Sequence, residues 1–328
     1  MISPKHNQLF SEAELQPASG FPVPSSSRER LAALKGWNEV LESIYVNNPN
    51  HAPVLRALDE IVSLGRPGSC YAVRNSAASF AGKSAAADEY ARVIARRKTF
   101  PAEARPVVRV ELEQACTSRR FWTSILDAYD DGYTSKKDEV ALRRSAYDAF
   151  EEHGTVLLII DEVQHAGYRS SGNSAATDVI KRFINDGRVG LGLFGNEEAG
   201  KILPSNNQLS HRLRPPCDIK PLRLDDTASQ ATFSKFLGKY DQQLTGKKLF
   251  AETSNLTDPR VMACLMSISS GYLGRVVALL REAARHAFLR SAARIEVCDL
   301  SHATSTWAVE QKLAASDPFR FGVVKANG

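Results

Sequence analysis

The segment Ser76-Ala77-Ala78-Ser79-Phe80-Ala81-Gly82-Lys83-Ser84 has the residue types of a phosphate-binding loop. In such a loop, backbone N–H groups of the turn and of the helix start converge on an anion, and the helix dipole favours negative charge there. Lys83 is placed to reach the β- and γ-phosphates of a nucleotide, and the Ser84 hydroxyl to help ligate magnesium. Ala81 and Gly82 would present their amides to the phosphates. Ala77 stands where the motif begins with glycine, five positions ahead of Gly82. If the loop needs φ > 0 there, alanine costs on the order of 1 kcal/mol. Otherwise the loop takes a slightly different path that still presents its N–H groups.

A second group of residues suits the same chemistry. Val156-Leu157-Leu158-Ile159-Ile160 runs straight into Asp161-Glu162. Ligands of open parallel sheets bind outside the carboxyl ends of the strands, where these acids fall. Asp161 would hold magnesium, and Glu162 would polarise the water that attacks a γ-phosphate. Asn196, in Phe194-Gly195-Asn196, can orient that water or sense the γ-phosphate; it can equally be the polar residue of a strand-end turn. Arg212, preferred over Arg214 in His211-Arg212-Leu213-Arg214, is a candidate arginine finger acting on a neighbouring subunit's nucleotide. Arg275 follows Gly274 at a helix start, where its charge opposes the dipole, a cost offset by a nearby phosphate. A solvated surface arginine is the plain alternative for both.

These residues need a particular frame. Cys70–Val73, Val107–Leu112, Val156–Ile160 and Val189–Phe194 read as buried strands, with Ile219–Leu224 a candidate fifth. Between them lie helical stretches near 53–63, 83–97, 121–129, 140–152 and 175–185. Strands alternating with helices predict a parallel sheet sandwiched by helices. After Leu224 the strands stop, and helices near 227–244, 259–270 and 275–290 predict a helical lid domain. The expected division is a flexible arm over 1–30, an α/β nucleotide-binding domain over 31–224, a lid over 225–310 and a tail over 311–328. The arm is rich in proline and serine around isolated Phe10 and Phe21, the pattern of a disordered tail or a partner-binding arm. The tail Asp317-Pro318-Phe319-Arg320-Phe321 suggests a docking peptide.

Composition narrows the class. A net charge of +5 permits nucleic-acid contact and equally describes a solvated basic surface. Five scattered cysteines with no C-x-x-C pair argue against a disulfide framework and for reduced thiols, and the seven histidines offer no zinc spacing. The first residues hold no apolar stretch suited to a signal peptide, and Val156–Ile160 is far too short to span a bilayer. A cytoplasmic protein without membrane partners is the expectation.

The ordered set Gly82-Lys83-Ser84, Asp161-Glu162, Gly195-Asn196, Arg212 and Gly274-Arg275, ending in a helical lid, resembles AAA+ ATPases, and most closely the TniB/TnsC transposition regulators. Local likenesses support this. Pro106-Val107-Val108-Arg109-Val110 followed by Ser118-Arg119-Arg120-Phe121-Trp122 is similar to that family's second strand and next helix start. Leu158-Ile159-Ile160-Asp161-Glu162-Val163-Gln164-His165 resembles its Ile-Ile-Asp-Glu-hydrophobic-His region, with Gln164 inserted. Gly195-Asn196-Glu197-Glu198-Ala199 resembles its Gly-Thr-x-Glu-Ala, and Gln208-Leu209-Ser210-His211-Arg212-Leu213 its Gln-Leu-x-x-Arg-Phe. Ala77 replaces the family's first loop glycine, a departure that bears on catalytic rate more than on fold.

The resemblance implies an ATP- and Mg2+-dependent ATPase that oligomerises on double-stranded DNA as a ring or filament. Such a protein recruits or activates a transposase, sometimes with a target-selection protein, and disassembles on hydrolysis. Arg119, Arg120, Lys136 and Lys137 are the expected DNA-phosphate contacts, although ordinary exposed basic residues look the same. The alternatives are a nucleotide-binding DNA scaffold with little or no hydrolysis, and another AAA+ role such as a helicase loader. A small-molecule kinase fits less well, because the adjacent Asp161-Glu162 pair suits water activation.

Overall fold

Strands form where apolar residues run without helical period, and helices where that period returns. The computed structural model describes residues 9–16, 27–65, 68, 70–114, 116–130, 138–167, 175–199, 213–223 and 225–323. In chain order it contains α1 (Ser27–Glu42), α2 (Ala52–Leu64), β1 (Ala72–Ser76), α3 (Lys83–Ala95), β2 (Val107–Glu111), α4 (Ser118–Asp127), α5 (Glu139–Glu152) and β3 (Leu157–Asp161). These are followed by α6 (Ala175–Asp186), β4 (Gly190–Gly195), α7 (Thr227–Gly246), α8 (Pro259–Ser269), α9 (Leu273–Leu289), α10 (Val297–Ala303) and α11 (Pro318–Phe321). The chain divides into two compact units, Asn50–Lys220 and the combination of Met1–Pro49 with Pro221–Gly328.

The first unit holds a parallel sheet in the order β1-β4-β3-β2. Every residue of β3 is buried, as a central strand covered on both faces must be. Leu158 and Ile160 join a core with Phe121 and Trp122 of α4, Tyr147 and Phe150 of α5 and Phe183 of α6. Trp122 meets Tyr147 edge-on at 5.5 Å, a favoured aromatic geometry. On the other face, a Cβ built on Gly192 would lie 3.3 Å from Leu58 of α2 and 3.3 Å from Ile159, so α2 packs directly on β4.

The fifth strand is not where the sequence reading put it. Residues 219–223 form no strand, and Leu224 lies outside the described residues. An earlier segment runs beside β1 instead. Leu213 forms a parallel bridge to Ala72, Arg214 N donates to Ala72 O at 2.8 Å, and Cys217 N donates to Arg74 O at 2.9 Å. Pro215 and Pro216 lie between these contacts and offer no N–H, so the ladder cannot become a regular strand.

The second unit is helical and contains more than the expected lid. Trp37 of α1 stacks on Phe288 of α9 at 4.5 Å, so α1 packs with the C-terminal helices rather than with the sheet, where the 31–224 boundary had placed it. Phe10 and Phe319 are both buried, with ring centroids 5.8 Å apart. Arg260 lies over the Phe10 ring at 4.7 Å and pairs with Glu14 at 2.8 Å. Phe10 and Phe319 are therefore parts of this core, with Leu9 and Leu15 packed against it, and Phe319 is not a free docking side chain. Phe21 lies outside the described residues. All five cysteines are buried and free. Among the described residues no single helix is long and apolar enough to cross a membrane.

Candidate nucleotide site

The loop between β1 and α3 is pinned at its start from two sides. Ser76 N donates to Asp218 Oδ1 at 2.6 Å, and Asp218 also pairs with Arg74 at 3.1 Å. Ala77 N donates to Gly195 O at 3.2 Å, tying the loop to the end of β4. Left-handed backbone is needed at Phe80 (φ 58°) and Gly82 (φ 101°), and Ala77 is not among the positive-φ residues. The loop thus follows the second path that the sequence left open. The missing first glycine carries no left-handed strain, whereas Phe80 does, at on the order of 1 kcal/mol. Gly82 is the N-cap of α3, a conformation that suits glycine best.

Lys83 begins α3 and is buried, and its Nζ donates to the carbonyls of Ala77 and Ala78 at 2.9 and 3.2 Å. Burial pulls the Lys83 pKa down, against the charges of Asp161 and Glu162, which favour the ammonium form. Ser84 Oγ donates to Asp161 Oδ2 at 3.1 Å. These two hard oxygens meet where the N-terminus of α3 faces the C-terminal end of β3, and the donor set fits magnesium. Glu162 N donates to Asp161 Oδ1 at 3.0 Å, with Glu162 itself in the left-handed region at φ 54°. Lys83, Ser84, Asp161 and Glu162 are therefore brought together, and Ala77, Ala81 and Gly82 line the loop before them.

Asn196 approaches through its backbone. Its N–H donates to Gln164 Oε1 at 3.1 Å, and Gln164 Nε2 donates to Glu162 Oε2. The Asn196 side chain accepts from Glu198 N at 2.9 Å, so it closes the strand-end turn that was its alternative reading. Gly195 makes this approach possible, since a Cβ there would lie 2.6 Å from Gln164 Oε1 and 2.7 Å from the Ala199 Cβ.

The remaining candidates are more scattered. Arg212, Lys136 and Lys137 lie outside the described residues. Arg214 is held in an ion pair with Glu60. Arg119 and Arg120 occupy the first turn of α4, where the exposed Arg120 lies 3.6 Å from Glu113. Arg275 belongs to the helical unit at the start of α9, with its guanidinium 4.9 Å from the Tyr272 ring.

Sequence reasoning missed the partners that hold these groups. Arg109 of β2 pairs with Asp161 at 2.8 Å and with Asp88 of α3 at 3.2 Å. Its signal was a charge inside the otherwise apolar run Val107-Val108-Arg109-Val110. Gln164 was visible as an inserted polar residue, but its two hydrogen bonds, one donated to Glu162 and one accepted from Asn196 N, were not. Asp218 gave no local signal.

A family model described as "Bacterial TniB protein" matches residues 37–218. No curated protein sequence matches the chain. Among solved structures, the Aeropyrum pernix ORC1 protein in complex with DNA aligns with a TM-score of 0.58 at 18% identity, covering 82% of this chain and 68% of that one. The ADP form of Aeropyrum pernix ORC2 gives 0.56 at 13% identity, with 82% and 72% covered. Cdc6p from Pyrobaculum aerophilum gives 0.54 at 13%, with 82% and 70% covered. At these identities the likeness is one of fold: a parallel four-stranded sheet flanked by helices, followed by a C-terminal helical region.

Proposed function

Because this chain belongs to the bacterial TniB family, we propose that it is an ATP-dependent regulator of DNA transposition. It assembles on double-stranded DNA with ATP, recruits or activates a transposase, and disassembles on hydrolysis. The observation that carries the reading is the convergence of Lys83, Ser84, Asp161 and Glu162 at the ends of β1 and β3. The solved structures it resembles include one bound to DNA and one bound to ADP.

In this mechanism the loop amides and the N-terminus of α3 bind the phosphates, and Lys83 exchanges its carbonyl partners for phosphate oxygens. Ser84 and Asp161 would hold magnesium, which would supply charge neutralisation on the phosphates. Glu162 orients the attacking water and accepts its proton, while Gln164 fixes the carboxylate that does so. Arg212 acts in trans on a neighbouring subunit's nucleotide, and Arg275 is a candidate phosphate contact. Arg119, Arg120, Lys136 and Lys137 neutralise DNA phosphates, which makes binding fall steeply with salt.

DNA-stimulated ATP hydrolysis tests the proposal, together with the size of DNA-bound oligomers. Glu162→Gln is expected to lower turnover by about 10^2–10^4-fold and to leave long-lived oligomers on DNA with ATP. Lys83→Ala is expected to lose nucleotide-dependent assembly. Assembly by the wild type that is unchanged by ATP, with no turnover, would make the chain a passive scaffold.

A further inference from the structure

Asp161 is shared between the site and a residue outside it. Its Oδ2 accepts from Ser84 Oγ at 3.1 Å and from Arg109 Nη2 at 2.8 Å, so the atom suited to magnesium already faces a guanidinium. The other arm of that guanidinium, Nη1, reaches Asp88 Oδ1 at 3.2 Å. Exposure grades across this chain of charges: the side chains of Asp161, Arg109 and Asp88 are 5%, 32% and 69% exposed. Ser84 and Asp88 are four residues apart on α3 and so share one face of it.

The physical consequences follow from charge. A buried carboxylate needs a cation, and Arg109 meets that need for Asp161. A divalent cation drawn to the same oxygen would be repelled by the guanidinium at close range in a partly desolvated setting. Arg109 can relieve the repulsion by giving up Asp161 and keeping Asp88, because one guanidinium already spans both. No rotation into a new pocket is required. The solvent exposure of Asp88 lets it take the full pair without a desolvation cost.

We propose that Arg109 is a stand-in cation for the magnesium site, with Asp88 the acid that receives it when the metal–nucleotide complex enters. Arg109 is then a positioning residue that acts through Asp161, and it sets the magnesium concentration at which nucleotide binding tightens. The inference rests on the nucleotide-site reading above and adds to it the regulation of metal entry.

Equilibrium binding of a fluorescent ADP analogue to the full chain, first in EDTA and then across a Mg2+ titration, tests it without relying on turnover. Arg109→Gln is expected to lower the Mg2+ midpoint by about five- to tenfold, because the competing charge is gone. Asp88→Asn is expected to raise the midpoint by about two- to threefold, because Arg109 loses its alternative partner. In the Arg109→Gln background, Asp88→Asn should add no further shift, since its effect passes through Arg109. An unmoved midpoint in Arg109→Gln, shifts of the same sign in both variants, or additive shifts in the double variant would each overturn the proposal. Should Arg109→Gln fail to fold, Asp88→Asn at its exposed position decides alone, and an unchanged midpoint there sinks it. Absence of nucleotide binding by the wild type in both conditions would instead remove the nucleotide-site reading, and this inference with it.

Discussion

Each unit of the molecule buries an aspartate against an arginine, and the two pairs are built differently. In the helical unit, Asp299 lies 2.6 Å from His286 Nδ1 and accepts from Arg290 Nε at 2.8 Å, Arg290 Nη2 at 2.7 Å and Glu296 N at 2.8 Å. Both side chains of that pair are almost wholly buried, at 0% and 3% exposed. Burial works to raise the Asp299 pKa, but Arg290, His286 and the Glu296 amide outweigh it and hold the carboxyl below its ordinary value. In the sheet unit, Asp161 is nearly as deep, but its arginine is one-third exposed and divided between two acids. A carboxylate closed in by fixed donors pins structure. One whose guanidinium can be hydrated is able to change partners, as the proposed metal entry requires.

The widest test of this contrast is to neutralise each aspartate. Asp299→Asn leaves Arg290 charged and buried, and is expected to lower the unfolding free energy of the helical unit by about 3–5 kcal/mol in urea. Asp161→Asn should cost the sheet unit about 1 kcal/mol or less, because Arg109 can turn to solvent and Asp88, while magnesium-dependent nucleotide binding is lost. Equal stability losses would erase the distinction.

Acid should separate the units next. Burial pushes the His51 pKa in the sheet unit down to about 4. The unfolded chain then takes up a proton near pH 6.5 that the folded unit refuses until about pH 4, so stability rises with pH between those values. The expected loss on going from pH 7 to pH 4 is up to about 3 kcal/mol, and His51→Gln should abolish most of it. In the helical unit, His302 is lowered by burial and by His286 and gives a smaller effect of the same sign. Acid unfolding monitored in each unit should therefore begin in the sheet unit, and a helical unit that melts first would contradict this.

The smallest effect sharpens the view that the sheet unit carries backbone strain at its site, at Phe80 and Glu162. Phe80→Gly is expected to raise stability by about 0.5–1 kcal/mol through relief of the left-handed conformation. Ala77→Gly should lower it by a similar amount, because glycine adds unfolded-state entropy where no positive φ is required. Calorimetric unfolding of both variants distinguishes this from a loop in which Ala77 is the strained residue.

The chemistry-bearing residues were legible because each sits at a boundary between periodic segments. Lys83 and Ser84 open a helix after a strand, and Asp161 and Glu162 end a strand buried along its length. Local pattern also located the long helices of the C-terminal part, since α8 and α9 each carry a proline or glycine near the start and a continuous apolar stripe. The same reasoning put the fifth sheet segment too late, because Ile219–Leu224 is more apolar than Leu213–Asp218. Backbone hydrogen bonds to β1, rather than apolar content, decided which segment pairs.

By itself the sequence determined the parallel α/β frame, the helical domain after it, and the lysine, serine and two acids that make up the candidate site. Those features depend on residue order within a few turns of helix or one strand, a range over which propensity and period act. Tertiary structure alone decided that α1, Phe10 and α11 join the helical core, and that strain falls on Phe80 rather than Ala77. It alone joined Arg109 to Asp161 and Asp88, and Gln164 to Glu162 and Asn196. The Arg109–Asp161 pair and the α1 packing join residues tens to hundreds of positions apart, and the energy of a polar contact depends on who is buried beside whom. No local pattern along the chain encodes that.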